Sequence, residues 1–246
     1  MPTQLSVNLN KIALIRNSRG RDYPSIIHFA ELALGAGAHG VTIHPRPDQR
    51  HARYSDVAAL KAVVERFAGT ELNIEGYPDR QFLDVVLATR PHQCTLVPDE
   101  PGQLTSDHGW NVVRDAARLA PIVAELKAAG IRVSLFVDAD LAQIEAAPAT
   151  GTDRVELYTE AYAHGYAQGD WMREWHKHAA AAARARELGL GLNAGHDLNL
   201  DNLANFLRIP GIAEVSIGHA LTVEALQVGF AAVVARYAAL LKAIAE

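Results

Sequence analysis

The 246-residue chain has one cysteine, no long apolar run and no block of like charge, and each scarcity closes off a class of protein. The single cysteine, Cys94, rules out an internal disulfide and any multi-cysteine metal centre. It lies within the run Gln93-Cys94-Thr95-Leu96-Val97, which reads as the setting of a buried, inert thiol. With a formal charge of −5 and no Lys/Arg-rich stretch, no nucleic-acid partner is expected, because phosphate-backbone binding needs a basic face. Lys11 and Arg16 interrupt the apolar residues near the start, and Arg236 and Lys242 those near the end, so neither a secretory leader nor a membrane span is expected. The expected location is the cytoplasm. The basic residues that do cluster, Arg46, Arg50, His51 and Arg53, suit a small phosphorylated ligand better than a polymer.

What is present is an alternation. Eight short apolar runs end on polar or ionisable residues: Asn8 and Asn10, His44 and Arg46, Glu75, Asp99, Asp138, Glu156 with Thr159, Asn193 with His196, and Gly218-His219. A helical pattern follows nearly every run. Eight strand–helix repeats predict an α/β fold, one (β/α)₈ TIM barrel spanning residues 1–246, and the length is close to the typical ~250. In such barrels the active site forms at the C-terminal strand ends, so these polar residues should meet across one mouth.

The spacing predicts strands at Leu5–Asn10, Gly40–His44, Leu72–Glu75, Thr95–Pro98, Val133–Val137, Arg154–Tyr158, Leu190–Asn193 and Glu214–Ile217. Ser55 is the expected N-cap of the third-strand-flanking helix, Pro121 is expected to break or kink a helix, and Thr222 to cap the final one. Arg16, Asn17, Arg19 and Gly20 read as a loop after strand one, and Glu160 to Gly169 as a long connection. The residues from Asp99 to Trp110 read as a lid after strand four, with Leu104-Thr105-Ser106 at its tip.

Asn193-Ala194-Gly195-His196 and Ser216-Ile217-Gly218-His219 are glycine-containing turns at consecutive strand ends. Phosphate-binding barrels use these loops, where backbone N–H groups approach an anion. His44 beside Arg46 suits proton transfer, since a neighbouring cation favours the neutral base. Glu75 ends an apolar strand and Glu156 lies inside another, where a carboxylate is costly unless paired or used as a base of raised pKa. A guanidinium at Arg16 or Arg19 offers a fork for phosphate.

Together Val7-Asn8-Leu9-Asn10-Lys11-Ile12, Arg16-Asn17-Ser18-Arg19-Gly20, Gly40-Val41-Thr42-Ile43-His44-Pro45-Arg46, Leu72-Asn73-Ile74-Glu75, Leu96-Val97-Pro98, Val133–Asp138, Asn193–His196 and Ile217–Ala220 resemble the signature of the pyridoxine 5′-phosphate synthase family, in order and along the whole chain. The resemblance implies condensation of 1-deoxy-D-xylulose 5-phosphate with 3-amino-2-oxopropyl phosphate to pyridoxine 5′-phosphate, phosphate and water, with no metal or redox cofactor. It also implies a homo-octamer. Carried over by position, His44 and Glu75 are the bases, His196 the proton donor and Glu156 the transition-state stabiliser. Asn8 and Arg19 hold the aminoketone phosphate; Arg46, His51 and Thr105 hold the deoxyxylulose phosphate. The backbone at Asp197 and at Gly218-His219 receives the product phosphate.

Three places depart from the commonest family pattern: Asn10-Lys11 stands for Asp-His, Tyr158-Thr159-Glu160 for His-Thr-Gly, and Asp197 for a glycine. Asn10 and Lys11 remain candidate ligand contacts, and Lys11 is expected to pair with Asp197 or Glu160. Two other readings stay open on the residues alone. One is an isomerase holding a divalent ion with His44, Glu75, Glu156 and His196. The other is a phosphate-ligand binder without chemistry.

Overall fold

The computed structural model describes residues 2–99, 103 and 106–245. Eight parallel strands close into a barrel in chain order: β1 (Gln4–Asn8), β2 (Gly40–Ile43), β3 (Glu71–Gly76), β4 (Gln93–Leu96), β5 (Arg132–Val137), β6 (Arg154–Tyr158), β7 (Gly191–Gly195) and β8 (Ile212–Ile217). The closing pair, β1 with β8, runs in register from Gln4 opposite Glu214 to Val7 opposite Ile217. The expected TIM barrel is the observed fold.

Period-two alternation explains its two-sided packing. Leu5, Val7, Val41, Ile43, Leu72, Ile74, Leu135, Leu157, Leu192 and Val215 are fully buried in the apolar core that the surrounding helices cover. Each such side chain contributes about 1.5–3 kcal/mol on burial. The residues between them point into the barrel and are polar. Gln93 of β4 donates to Glu214 of β8 at 3.3 Å, and Thr95 of β4 to Glu156 of β6 at 3.5 Å. These strands are not neighbours, so such contacts run through the interior.

The outer layer comprises α1 (Asn10–Asn17), α2 (Ile26–Gly35), α3 (Tyr54–Val64), α4 (Arg80–Thr89), α5 (Val112–Ala128), α6 (Leu141–Ala146), α7 (Glu160–Gln168), α8 (Met172–Glu187), α9 (Leu203–Phe206), α10 (His219–Val228) and α11 (Phe230–Ala245). Several starts follow capping chemistry. Ser25 accepts from His28 N, and Asp79 from Phe82 N at 2.8 Å.

The local expectations were corrected in several places. Asn10 opens α1 rather than ending β1, and the expected loop carrying Arg16 and Asn17 is the last turn of that helix. Ser55 lies inside α3; the start is organised by Asp56, which accepts from Arg53 N at 2.7 Å. Pro121 sits within one helix, α5. Residues 160–168 form α7, which buries Tyr162 and Ala163. Thr222 lies within α10, donating to Gly218 O at 2.9 Å, and the last helix is α11. No helix among the described residues is long and apolar enough to cross a membrane.

Candidate active site

The C-terminal mouth of the barrel holds a cavity of about 550 Å³ to which every strand end contributes. Asn8, His44, Glu75, Val97, Phe136, Glu156, His196 and Ser216 come from the ends of β1 to β8 in turn, and Asn10, Lys11, Leu14, Arg46, Arg50, His51, Ser106, Asp197, Gly218 and His219 complete the wall. Most of the polar residues singled out from the sequence therefore meet in one place. Leu14, Val97, Phe136 and Ser216 were missed. Period two had a signal for two of them, since Phe136 follows Ser134 and Ser216 follows Glu214 on the inward face.

His44, 5 % exposed, stands one residue past β2, and its backbone N–H donates to Asn10 Oδ1 at 2.8 Å. Asn10 N donates in turn to Asn8 Oδ1 at 3.0 Å, so the first two strand ends are tied together. Burial, then the charge of Arg46, holds His44 well below the ordinary histidine value, and it is a neutral imidazole at pH 7. His51 lies beside it, ring centroids 6.1 Å apart, and is lowered to about 4 by burial followed by Arg46.

Glu75 and Glu156 shift the opposite way. Burial, then the negative charge of Glu156, raises Glu75 well above the usual carboxylate range. Glu156, 3 % exposed, is raised by burial and then by Glu214. Two carboxylates sharing a low-dielectric site resist ionising together, and both are raised from the ordinary value. Gly195 leaves room for them: a Cβ there would stand 2.4 Å from Glu156 Oε1 and displace the carboxyl.

After β7 the backbone turns through left-handed conformations at two non-glycine residues, His196 (φ 89°) and Asp197 (φ 60°). Such conformations cost on the order of 1–3 kcal/mol each and persist where the surroundings impose them. Here the buried Thr159 hydroxyl donates to Gly195 O at 2.7 Å and to His196 O at 2.5 Å, and Asn202 Nδ2 donates to Asp197 O at 3.2 Å. The Asp197 carboxylate lies 2.8 Å from His196 Nδ1. After β8, Gly218 stands at the N-cap of α10, and Gly218 and His219 both line the cavity, so the helix begins at the mouth. A Cβ on Gly218 would press to 2.9 Å on Asn8 Cβ.

Arg46 is 5 % exposed. It pairs with Asp99 and donates to Gln103 O at 2.8 Å, to which Arg50 also donates at 3.1 Å. The strand-four connection is thereby gripped near its start. Its far end is held by Trp110, which donates from Nε1 to Leu96 O at 2.9 Å beneath the Arg118 guanidinium. Asp138, instead of opening onto the cavity, accepts from Gly109 N at 3.2 Å.

Three expectations take a different form. Arg16, 2 % exposed, is bidentate to Asp56 at 2.7 and 3.0 Å and is structural. Lys11 forms no ion pair with Asp197 or Glu160 among the described residues; Asp197 is engaged by His196, and Lys11 acts on it only through space. Arg19 stands exposed on the turn after α1, outside the cavity wall. Thr105 lies outside the described residues. No group of three or more His, Cys, Asp or Glu side chains among the described residues is arranged to hold a metal ion, so the divalent-ion alternative gains no support from the geometry.

This fold and its mouth define a (β/α)₈-barrel enzyme. The chain belongs to the family described as pyridoxal phosphate biosynthesis protein PdxJ, whose pattern matches residues 5–243. A protein of Albidiferax ferrireducens named pyridoxine 5′-phosphate synthase is 51 % identical over 243 residues, covering 96 % of each chain. One of the same name from Mesorhizobium japonicum is 52 % identical over 242 residues, covering 96 % of this chain and 98 % of its own. Solved structures share the fold alone. A phosphoribosyl anthranilate isomerase from Thermus thermophilus superposes with a TM-score of 0.60 at 16 % identity, covering 98 % of this chain and all of the other.

Proposed function

We propose that the chain is a pyridoxine 5′-phosphate synthase that condenses 1-deoxy-D-xylulose 5-phosphate with 3-amino-2-oxopropyl phosphate, releasing phosphate and water. The observation that carries the reading is the convergence of three proton-transfer groups, His44, Glu75 and His196, and of Glu156 on a cavity that also holds Arg46, His51 and the α10 N-terminus. An amine must add to a ketone, water and phosphate must leave, and a ring must close and aromatise. Each step moves protons at carbon, nitrogen or oxygen, and the sum is redox-neutral, so the chemistry calls for acids and bases and for no metal or redox cofactor.

His44, held neutral, accepts the first proton. Glu75, with its raised pKa, takes and returns protons near neutral pH, and His196 donates to the departing oxygen. Glu156 stabilises the transition states. Asn8 holds the aminoketone phosphate from β1. Arg46 and His51 hold the other phosphate, which requires Arg46 to exchange Asp99 for substrate. Gly218, His219 and the Asp197 backbone receive a phosphate at the α10 N-terminus. Asn10 and Lys11 border the same cavity as further contacts. Arg19 and Thr105 complete the substrate contacts by resemblance. The connection after β4 closes as a lid and keeps water from an imine that hydrolysis would destroy.

The reading includes a single domain, cytoplasmic location and assembly as a homo-octamer. A sedimentation measurement giving a monomer would remove the octamer without touching the chemistry. The test of the reaction is an anaerobic assay of chelator-treated protein with both substrates, following product and released phosphate. Turnover that collapses in Glu75→Gln and His196→Asn supports the synthase. Well-folded protein without product sinks it, and moves the binder reading ahead.

A further inference from the structure

The turn after β7 places an acid and a base side by side on a backbone that neither residue prefers. His196 and Asp197 both adopt positive φ, 89° and 60°, and Asp197 Oδ2 lies 2.8 Å from His196 Nδ1. Nothing local demands an aspartate there, since glycine adopts positive φ most readily. Asp197 also makes no ion pair with Lys11 among the described residues, its salt-bridge partner being His196. Its carboxylate is spent on the imidazole.

The imidazole is held from a second direction. The Tyr158 ring meets it edge-on, centroids 5.0 Å apart at 82°, and Phe136 supports Tyr158 at 5.3 Å. The Thr159 hydroxyl fixes the carbonyl of His196 itself. Ring, backbone and Nδ1 are each constrained, and the ring lines the cavity with 26 % of its side chain exposed.

We propose that Asp197 is a positioning residue: it accepts a hydrogen bond from His196 Nδ1–H and so selects the tautomer and ring orientation in which Nε2 exchanges protons with substrate. The inference rests on the reaction proposed above, in which His196 is the proton donor. A neutral imidazole carries one N–H, and the partner at one nitrogen determines which nitrogen that is. An acceptor at Nδ1 makes Nε2 the lone-pair nitrogen in the neutral ring and its N–H the transferable one in the cation. The hydrogen bond from His196 holds Asp197 below the usual carboxylate value, so it is an anion at neutral pH. Lys11 from α1 and His219 from α10 act in the same direction on that carboxylate.

The test combines ring spectroscopy with kinetics on the full chain. In ¹⁵N-histidine-labelled protein without substrate, His196→Asn identifies the His196 signals. The expected result is protonated Nδ1 in the parent and a shift of population toward Nε2–H in Asp197→Gly. Asp197→Asn, whose amide oxygen still accepts from Nδ1–H, should keep the tautomer in part. With both phosphorylated substrates, Asp197→Gly should lower kcat by about tenfold or more with each KM within about threefold, and Asp197→Glu should restore part of it. Unchanged ring signals in Asp197→Gly would overturn the proposal. So would a loss expressed wholly as raised KM, which marks a substrate contact. A parent protein that turns over neither substrate brings down the assigned reaction instead, while the ring signals still decide the pairing.

Discussion

The two ends of the barrel interior bury carboxylates in different company. At the N-terminal end Glu71 faces Arg132, with Nη1 donating at 3.2 Å, and Glu214 lies 3.8 Å from Arg154 and accepts from Gln93. Burial works to raise Glu71, but the bond and charge of Arg132 more than offset it, and its pKa is lowered. Burial raises Glu214, against the opposing charges of Arg154 and Arg132. At the C-terminal end Glu75 and Glu156 are buried against each other, and the nearest cation, Arg46, is committed to Asp99. One end answers each acid with a base and is structural. The other leaves its acids without a free counter-charge and raised above the ordinary carboxylate range, the condition that suits proton transfer near neutral pH. Burial alone does not mark an active site; burial without a counter-charge does.

The contrast can be broken from either end. Glu75→Gln should lower kcat by about 10²–10⁴-fold, the range for a lost general base, with no fall in melting temperature because a buried ionisable carboxyl without a counter-charge gives way to a neutral amide. Steady-state kinetics beside thermal unfolding checks both halves, and a large stability loss would show that the mouth carboxylate is structural. Arg154→Met at the other end should do the reverse. Leaving Glu214 without its cation should cost about 2–3 kcal/mol in denaturant unfolding, with kcat per folded molecule essentially unchanged.

A pH series sharpens the same comparison. Glu156 is raised from the ordinary 4.5 to about 8, so between those values the folded protein binds more protons than the unfolded chain. Its contribution to stability is complete below pH 4.5 and is lost as pH rises through about 8. The stability of the parent relative to Glu156→Gln should therefore decline across that window, by on the order of 1–3 kcal/mol. A flat difference would show that Glu156 ionises normally. The smallest effect is expected at Thr159→Val, which removes the hydroxyl held by Gly195 O and His196 O and should cost about 1 kcal/mol in denaturant unfolding.

Much of this was legible in the chain because period-two alternation survives in every strand. Val41, Ile43, Leu135 and Val215 face the helices, the intervening inward residues are polar apart from Phe136, and most of the polar run ends reach the mouth, Asp138 being turned to Gly109 N instead. Helices with weak apolar signal were not legible. In α7 only Tyr162 and Ala163 are buried, and with small alanines and Gly165 around them no apolar stripe of helical period shows in the sequence. The α1 stretch buries little beyond Ile12, Ala13 and Arg16, too short a stripe to show a helical period.

By itself the sequence determined the barrel, the set of titratable residues at its strand ends and the family, because these depend on local periodicity and on residue identity at set intervals. Only the tertiary structure decided which charges answer one another. Arg16 meets Asp56 40 residues away, Arg46 meets Asp99 53 residues away, and Glu75 faces Glu156 across the barrel. Partnership of this kind depends on distance and dielectric in the folded chain, and it separates a structural ion pair from a proton-transfer site.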